Sequence, residues 1–167
     1  MRHTESKELK LELYKIAIET RNFEIKLFWQ RSNYFLVLNT SIAVGAFTKV
    51  AEKSQIYFLL LGIVVSFLWF LVNIGSKYWQ VRWEYEVAKL EKEINQEIYL
   101  FSANKKATDN AVKEFLSGYR QQDSFPSLCD SFILVKPSVS KIMICLSVIF
   151  VIFWSVSFFV MIIDIFA

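Results

Sequence analysis

Histidine is almost missing from this 167-residue chain. His3 is the only one, in a terminus expected to fray. That nearly removes a histidine general base or a His-ligated metal from consideration. The two cysteines make no disulfide framework. Cys129 sits in a polar stretch and Cys145 in an apolar run, and both read as free thiols. No phosphate-cradling Walker loop, GxGxxG, GxSxG or HExxH occurs. Carboxylates do not cluster; Glu91, Glu93 and Glu97 could approach a lysine, but they read as a solvated helix face, where ion pairs contribute little. Charge of one sign is lacking too. The net charge is +3, and nearly every Lys or Arg has an acidic neighbour, so no basic stripe for nucleic acid is visible. Internal repeats and low-complexity tracts are absent. The residues before Tyr34 are densely charged over a length no signal-peptide n-region reaches, so no cleavable signal is expected. These absences predict no enzyme, no catalytic residue, no cofactor, no metal and no direct nucleic-acid partner.

What is abundant is apolar side chain: 54% of residues are hydrophobic and 17% aromatic, with sixteen Phe. A soluble domain of this size carries less. The apolar residues gather in three runs. A hydrocarbon core of about 30 Å needs roughly 20 helical residues to cross it. Ile142–Phe166 meets that with one charge, Asp164, at its far end, where it can reach the outer headgroups. Ile56–Ile74 meets it with none. Tyr34–Phe47 is shorter, and Phe28 and Trp29 extend it while Arg31 snorkels. The expectation is an all-α membrane protein with three spans, over 34–50, 56–75 and 137–166, with Pro137 at the first helical position of the last.

Lys and Arg set the orientation. Residues 1–33 carry seven and residues 76–141 carry ten; the 48–55 loop has two, and nothing basic follows Asp164. Three spans place both basic segments on one side. The N-terminus is therefore expected in the cytoplasm, the protein in the plasma membrane, and the C-terminus in the periplasm or outside.

Two cytoplasmic helices are predicted. In 5–31, Leu9, Leu13, Ile16, Thr20, Phe23 and Leu27 recur four and three apart, the spacing of a coiled-coil-like seam. A second stripe is Leu11, Tyr14, Ile18 and Ile25. After the second span, Trp79, Trp83, Val87, Leu90, Ile94, Ile98 and Phe101 recur likewise, with Arg82–Glu86 and Lys89–Glu93 pairs worth about 0.2–0.5 kcal/mol each. Only Gly75 interrupts, so one helix from Ile56 to Phe101 is expected, about 70 Å long at roughly 1.5 Å per residue. It should pack antiparallel on the N-terminal helix through these two seams, so that the hairpin of the first two spans extends into the cytoplasm as an antiparallel helical pair. In the 76–135 region "SANKKA" breaks the pattern, Thr108 or Asp109 caps a short helix to about Leu116 that ends at Gly118, and a loop holds Pro126. "FILV" at Phe132–Val135 fits a strand, an interfacial segment or a cap on the hairpin.

Polar residues inside the apolar runs are the candidate sites. Asn39, Thr40 and Ser41 lie midway through the first span, Asn73 ends the second, and Ser147, Ser155 and Ser157 mark the third. Such groups find helix partners or line a wet path. Ser41 and Gly45 form a small-xxx-small pair that permits close helix approach. Asn39, Ser41, Gly45 and Asn73 are therefore candidate intramembrane or oligomer contacts. Lys77, Trp79, Arg82 and Trp83 form a joint where the second span leaves lipid: Lys77 and Arg82 as positive-inside charges, Trp79 and Trp83 as interface anchors.

The charged N-terminal helix, "FWQRSNYFLVLNTSIAVGAF" entering the first span and "GSKYWQVRWEYE" leaving the second together resemble the small bacterial membrane effectors of conflict and anti-phage systems, the SLATT-type proteins among them. The resemblance covers roughly residues 20–100; the third span departs from the two-span pattern. It implies a homo-oligomeric inner-membrane effector in phage defence that perturbs or permeabilises the membrane on activation. A membrane anchor or scaffold docking a cytoplasmic protein partner, and an envelope or lipid housekeeping factor, fit the same layout.

Overall fold

The computed structural model describes residues 2–48, 52–94, 100–120, 135 and 138–166. Four helices account for nearly all of them: α1 (Arg2–Phe47), α2 (Glu52–Ile94), α3 (Lys105–Arg120) and α4 (Val139–Phe166). With no proline and no glycine before Gly45, nothing in α1 breaks the backbone ladder. The charged N-terminal stretch and the 34–50 run therefore share one 46-residue helix.

Among the described residues two helices are long and apolar enough to cross a membrane, α2 and α4. The described part of the 34–50 run, which ends α1 at Phe47, does not meet that measure; Asn39, Thr40 and Ser41 interrupt a short apolar stretch. Gly75 does not disturb α2: a Cβ there would meet nothing within 4 Å, and the helix continues through it.

The chain divides into two compact units, Met1–Thr20 with Trp83–Ser138, and Arg21–Arg82 with Val139–Ala167. In the first unit α1 and α2 are joined by Lys10–Glu93 at 3.2 Å, and the core is Ala17 and Val87. The seam expected on α1 is not the one used. Leu9, Leu13, Ile16 and Phe23 are each about half exposed. The face turned to α2 lies one residue on, at Lys10, Tyr14 and Ala17, where the small Ala17 permits close approach and Lys10 finds its carboxylate. On α2 the predicted seam position Val87 is buried, Trp79 is exposed, and Glu91 joins Val87 inside.

The helix predicted to reach Phe101 is described as far as Ile94, and Leu100–Ser102 are not helical. Glu91 binds this last segment. It was expected on a solvated face, yet it is 3% exposed. Its carboxylate accepts hydrogen bonds from the backbone N–H groups of Leu100 (2.8 Å), Phe101 (3.0 Å) and Ser102 (2.7 Å). A carboxylate closing on three successive N–H groups is an anion held in a backbone nest, and it ties Leu100–Ser102 to α2. The α3 helix also starts earlier than expected. Asn104, within the stretch read as a break, caps it: Oδ1 accepts from Ala107 N at 2.8 Å, the N-cap geometry. The helix runs past Gly118 to Arg120. Glu97, Pro126, Cys129, Phe132 and Pro137 lie outside the described residues.

In the second unit α1 and α4 run one way and α2 the other. The apolar centre is Ile42, Ala46, Leu59, Val65 and Trp154. Trp69 is fully buried, stacked on Phe35 with ring centroids 6.2 Å apart, with the tilted Phe150 ring 5.8 Å away. The periodicity of α2 is inverted relative to a soluble helix. Its buried positions, Leu59, Gly62, Ser66, Trp69, Asn73, Ser76 and Gln80, recur three and four apart and are half polar. Its exposed positions include Leu60, Leu61, Val64, Phe67, Leu68, Leu71 and Ile74. Lipid tails are as apolar as Leu and give helices no hydrophobic reason to associate; packing and interhelical hydrogen bonds do so instead. A polar seam with an apolar exterior is the pattern that solvent selects.

Candidate functional site

Three polar layers cross the second unit. Asn39 holds the first together. Its Nδ2 donates to Phe35 O at 2.9 Å within α1. Its Oδ1 accepts from Ser66 Oγ of α2 at 2.7 Å and from Trp154 Nε1 of α4 at 2.9 Å. One amide thus ties three helices, and none of its contacting groups is exposed. Gly62 makes room for this layer, since a Cβ there would lie 2.4 Å from the Trp154 indole.

Two turns of α1 earlier, Ser32 Oγ donates to Asn73 Oδ1 at 3.4 Å, and Asn73 Nδ2 donates to Met143 O at 3.1 Å. Arg31 Nη1 donates to Ser76 Oγ at 3.1 Å beside it. In the third layer Ser140 Oγ donates to Gln80 Oε1 at 2.9 Å. Arg31 apart, these are neutral polar side chains paired inside the bundle, suited to fixing helix register.

The sequence candidates separate accordingly. Asn39 and Asn73 are buried and bonded within the chain. Gly45 lies under the Phe58 ring, 2.7 Å from where a Cβ would stand. Ser41 is exposed and donates to Val37 O at 2.9 Å; Thr40 beside it donates to Leu36 O at 2.8 Å. Of the joint residues, Lys77 is half-buried and Trp79 exposed, with the Arg82 guanidinium 5.4 Å over its ring. Trp83, in the first unit, is half-buried. Ser66, Gln80, Ser140 and Glu91 escaped sequence reasoning. Only a polar residue repeating at three and four along α2 (66, 73, 76, 80) signals the first two.

Glu91 is the one strongly placed charge of the first unit. Burial raises its pKa, but the adjoining Ser102 hydroxyl and the backbone N–H groups of Phe101, Ser102 and Leu100 outweigh that, and the carboxyl is held below its usual range. Burial, followed by the negative charge of Glu91, pushes the Tyr14 phenol up.

An apolar exterior around a polar, hydrogen-bonded interior, on helices long enough to cross a bilayer, defines a helical membrane protein. The family is equally plain: residues 11–163 match the octameric membrane protein family (8xMP), and the chain belongs to it. The family's name denotes an assembly of eight in a membrane. No curated protein and no solved structure matches the chain. The likeness to SLATT-type effectors rests on the stretches quoted above; the family match does not carry it.

Proposed function

We propose that this chain forms a homo-oligomer, of eight copies as its family name indicates, in the inner membrane of a bacterium. The 34–50, 56–75 and 137–166 segments are three spans, with the N-terminus and the 76–135 region cytoplasmic and the C-terminus outside. The role is not enzymatic. On activation, in phage defence, the assembly perturbs or permeabilises the membrane.

One observation carries the assembly. From Tyr57 to Ile74 of α2, and from Ile142 to Ile163 of α4, the exposed side chains are aliphatic or aromatic, Cys145 apart. Along the 33–47 part of α1 the exposed set mixes Asn33, Thr40 and Ser41 with Tyr34, Val37, Leu38, Val44 and Phe47. Polar positions in spans face the bundle interior or a wet cavity rather than lipid. This supports an arrangement with α2 and α4 outward and α1 toward neighbouring copies and the shared axis, which is the geometry a pore needs. Induced expression with a membrane-potential dye tests the activity. Depolarisation with growth arrest is expected; full potential and normal growth, with phage present as well as absent, would refute it. A soluble protein co-purifying in fixed ratio would favour the anchor reading instead.

A further inference from the structure

Leu9, Leu13 and Ile16 of α1 form an apolar stripe 57%, 46% and 52% exposed in the first unit. They precede the 34–50 span by some twenty residues, about 30 Å of helix at roughly 1.5 Å per residue, so lipid does not cover them in the topology proposed above. On the side of the stripe away from α2 stand Glu12 and Glu19, both exposed. The α2 segment of the same unit turns a different face outward, opposite Val87 and Glu91. It presents Tyr85, 64% exposed, then Lys89 and Lys92, both exposed, at spacings of four and three. None of Glu12, Glu19, Lys89 and Lys92 forms an ion pair among the described residues, whereas Lys10 and Glu93 already hold each other.

We propose that the Leu9–Leu13–Ile16 stripe of one copy packs on the Tyr85 face of the next, with Glu12 and Glu19 meeting Lys89 and Lys92. This rests on the homo-oligomer proposed above and names its cytoplasmic interface. The occupant is a second copy because both complementary faces belong to this chain. A two-fold pairing of the stripe with itself would bring Glu12 and Glu19 against their own like, which is unfavourable. Joining two different faces makes a head-to-tail contact, the kind that closes into a ring when the rotation between copies closes, as a cyclic assembly of eight requires. Charges flanking an apolar stripe set partner choice in the same way in coiled coils.

The test uses the full chain in nanodiscs, with native mass spectrometry as readout. The wild type should be an octamer. Glu12→Lys with Glu19→Lys, and Lys89→Glu with Lys92→Glu, should each reduce the octamer fraction at least tenfold, and the four changes together should restore it. A monomeric wild type would overturn the oligomer itself. An octameric wild type with both reversed variants also octameric, or with no restoration in the combination, would overturn only this interface. Leu13→Cys with Tyr85→Cys, in a chain carrying Cys129→Ser and Cys145→Ser, should give an oxidation ladder reaching eight copies. Absence of the ladder would count equally against the interface.

Discussion

Removing the Asn39 carboxamide should cost the bundle more than its size suggests, and the cost should be shared with Trp154. In Asn39→Leu the side-chain volume is kept and two interhelical bonds go, at 2.7 and 2.9 Å. Interhelical hydrogen bonds within membranes average about 0.6 kcal/mol and reach about 1.7. Ser66 can recover by donating to a carbonyl one turn back on its own helix, as Thr40, Ser41 and Ser155 do here. The Trp154 indole has no such recourse: it is 0% exposed, and an orphaned buried donor costs about 1–3 kcal/mol. The expected loss is therefore about 2–3 kcal/mol, most of it on the indole. Trp154→Phe removes that donor. The double variant should then lose less than the two singles added, with a coupling of about 0.6–1.7 kcal/mol. Reversible unfolding in mixed micelles titrated with SDS measures all four corners of the cycle. Ser140→Ala, fourteen residues along α4 from Trp154, supplies the control and should add to Asn39→Leu within about 0.5 kcal/mol. A coupling indistinguishable from that of the control would refute the claim that Asn39 joins α1 to α4.

Three further outcomes are expected. Gly62→Ala should drive a methyl into the Trp154 indole, where a Cβ stands 2.4 Å away; overpacking of this kind costs about 1–3 kcal/mol, visible in the same SDS titration. Gly75→Ala meets open space and should gain about 0.5–1 kcal/mol in the helix interior; a clear loss would place another copy against that position. Glu91→Gln should weaken three backbone bonds to a charged acceptor, at about 1.5–3 kcal/mol in total. Because the folded-state pKa of Glu91 is depressed, its contribution is complete above the ordinary carboxylate range and is lost as pH falls through the depressed value. Thermal unfolding followed by circular dichroism should therefore show a fall in stability below the ordinary carboxylate range that Glu91→Gln largely removes.

The long helices were legible because hydropathy and the scarcity of breakers are properties of the chain alone. Asn39 was legible as a polar residue in an apolar run. Its partners were not, since Ser66 and Trp154 lie 27 and 115 residues away and only packing selects their register. The α1 seam was misread for a definable reason. Leu9–Leu13–Ile16 and Lys10–Tyr14–Ala17 have the same period and differ by one residue in phase, and hydropathy favours the first. The chain buries the second, where a small residue and an ion pair let α1 and α2 close. Glu91 was misread because an acidic residue amid lysines looks solvated until the returning backbone is known.

The polar seam of α2 also bears on how the chain enters a bilayer. In the three-span topology proposed above, Asn39 would arrive in lipid with α1 before Ser66 and Trp154 exist as partners, on a stretch too short and too polar to be held there well alone. Only residues 48–51 separate α1 from α2, so the next helix follows within a few amino acids of synthesis and can supply Ser66 at once. Trp154 comes far later. In that topology the first two helices would be inserted as a pair, and the last would act as the latch that closes around an amide already in place.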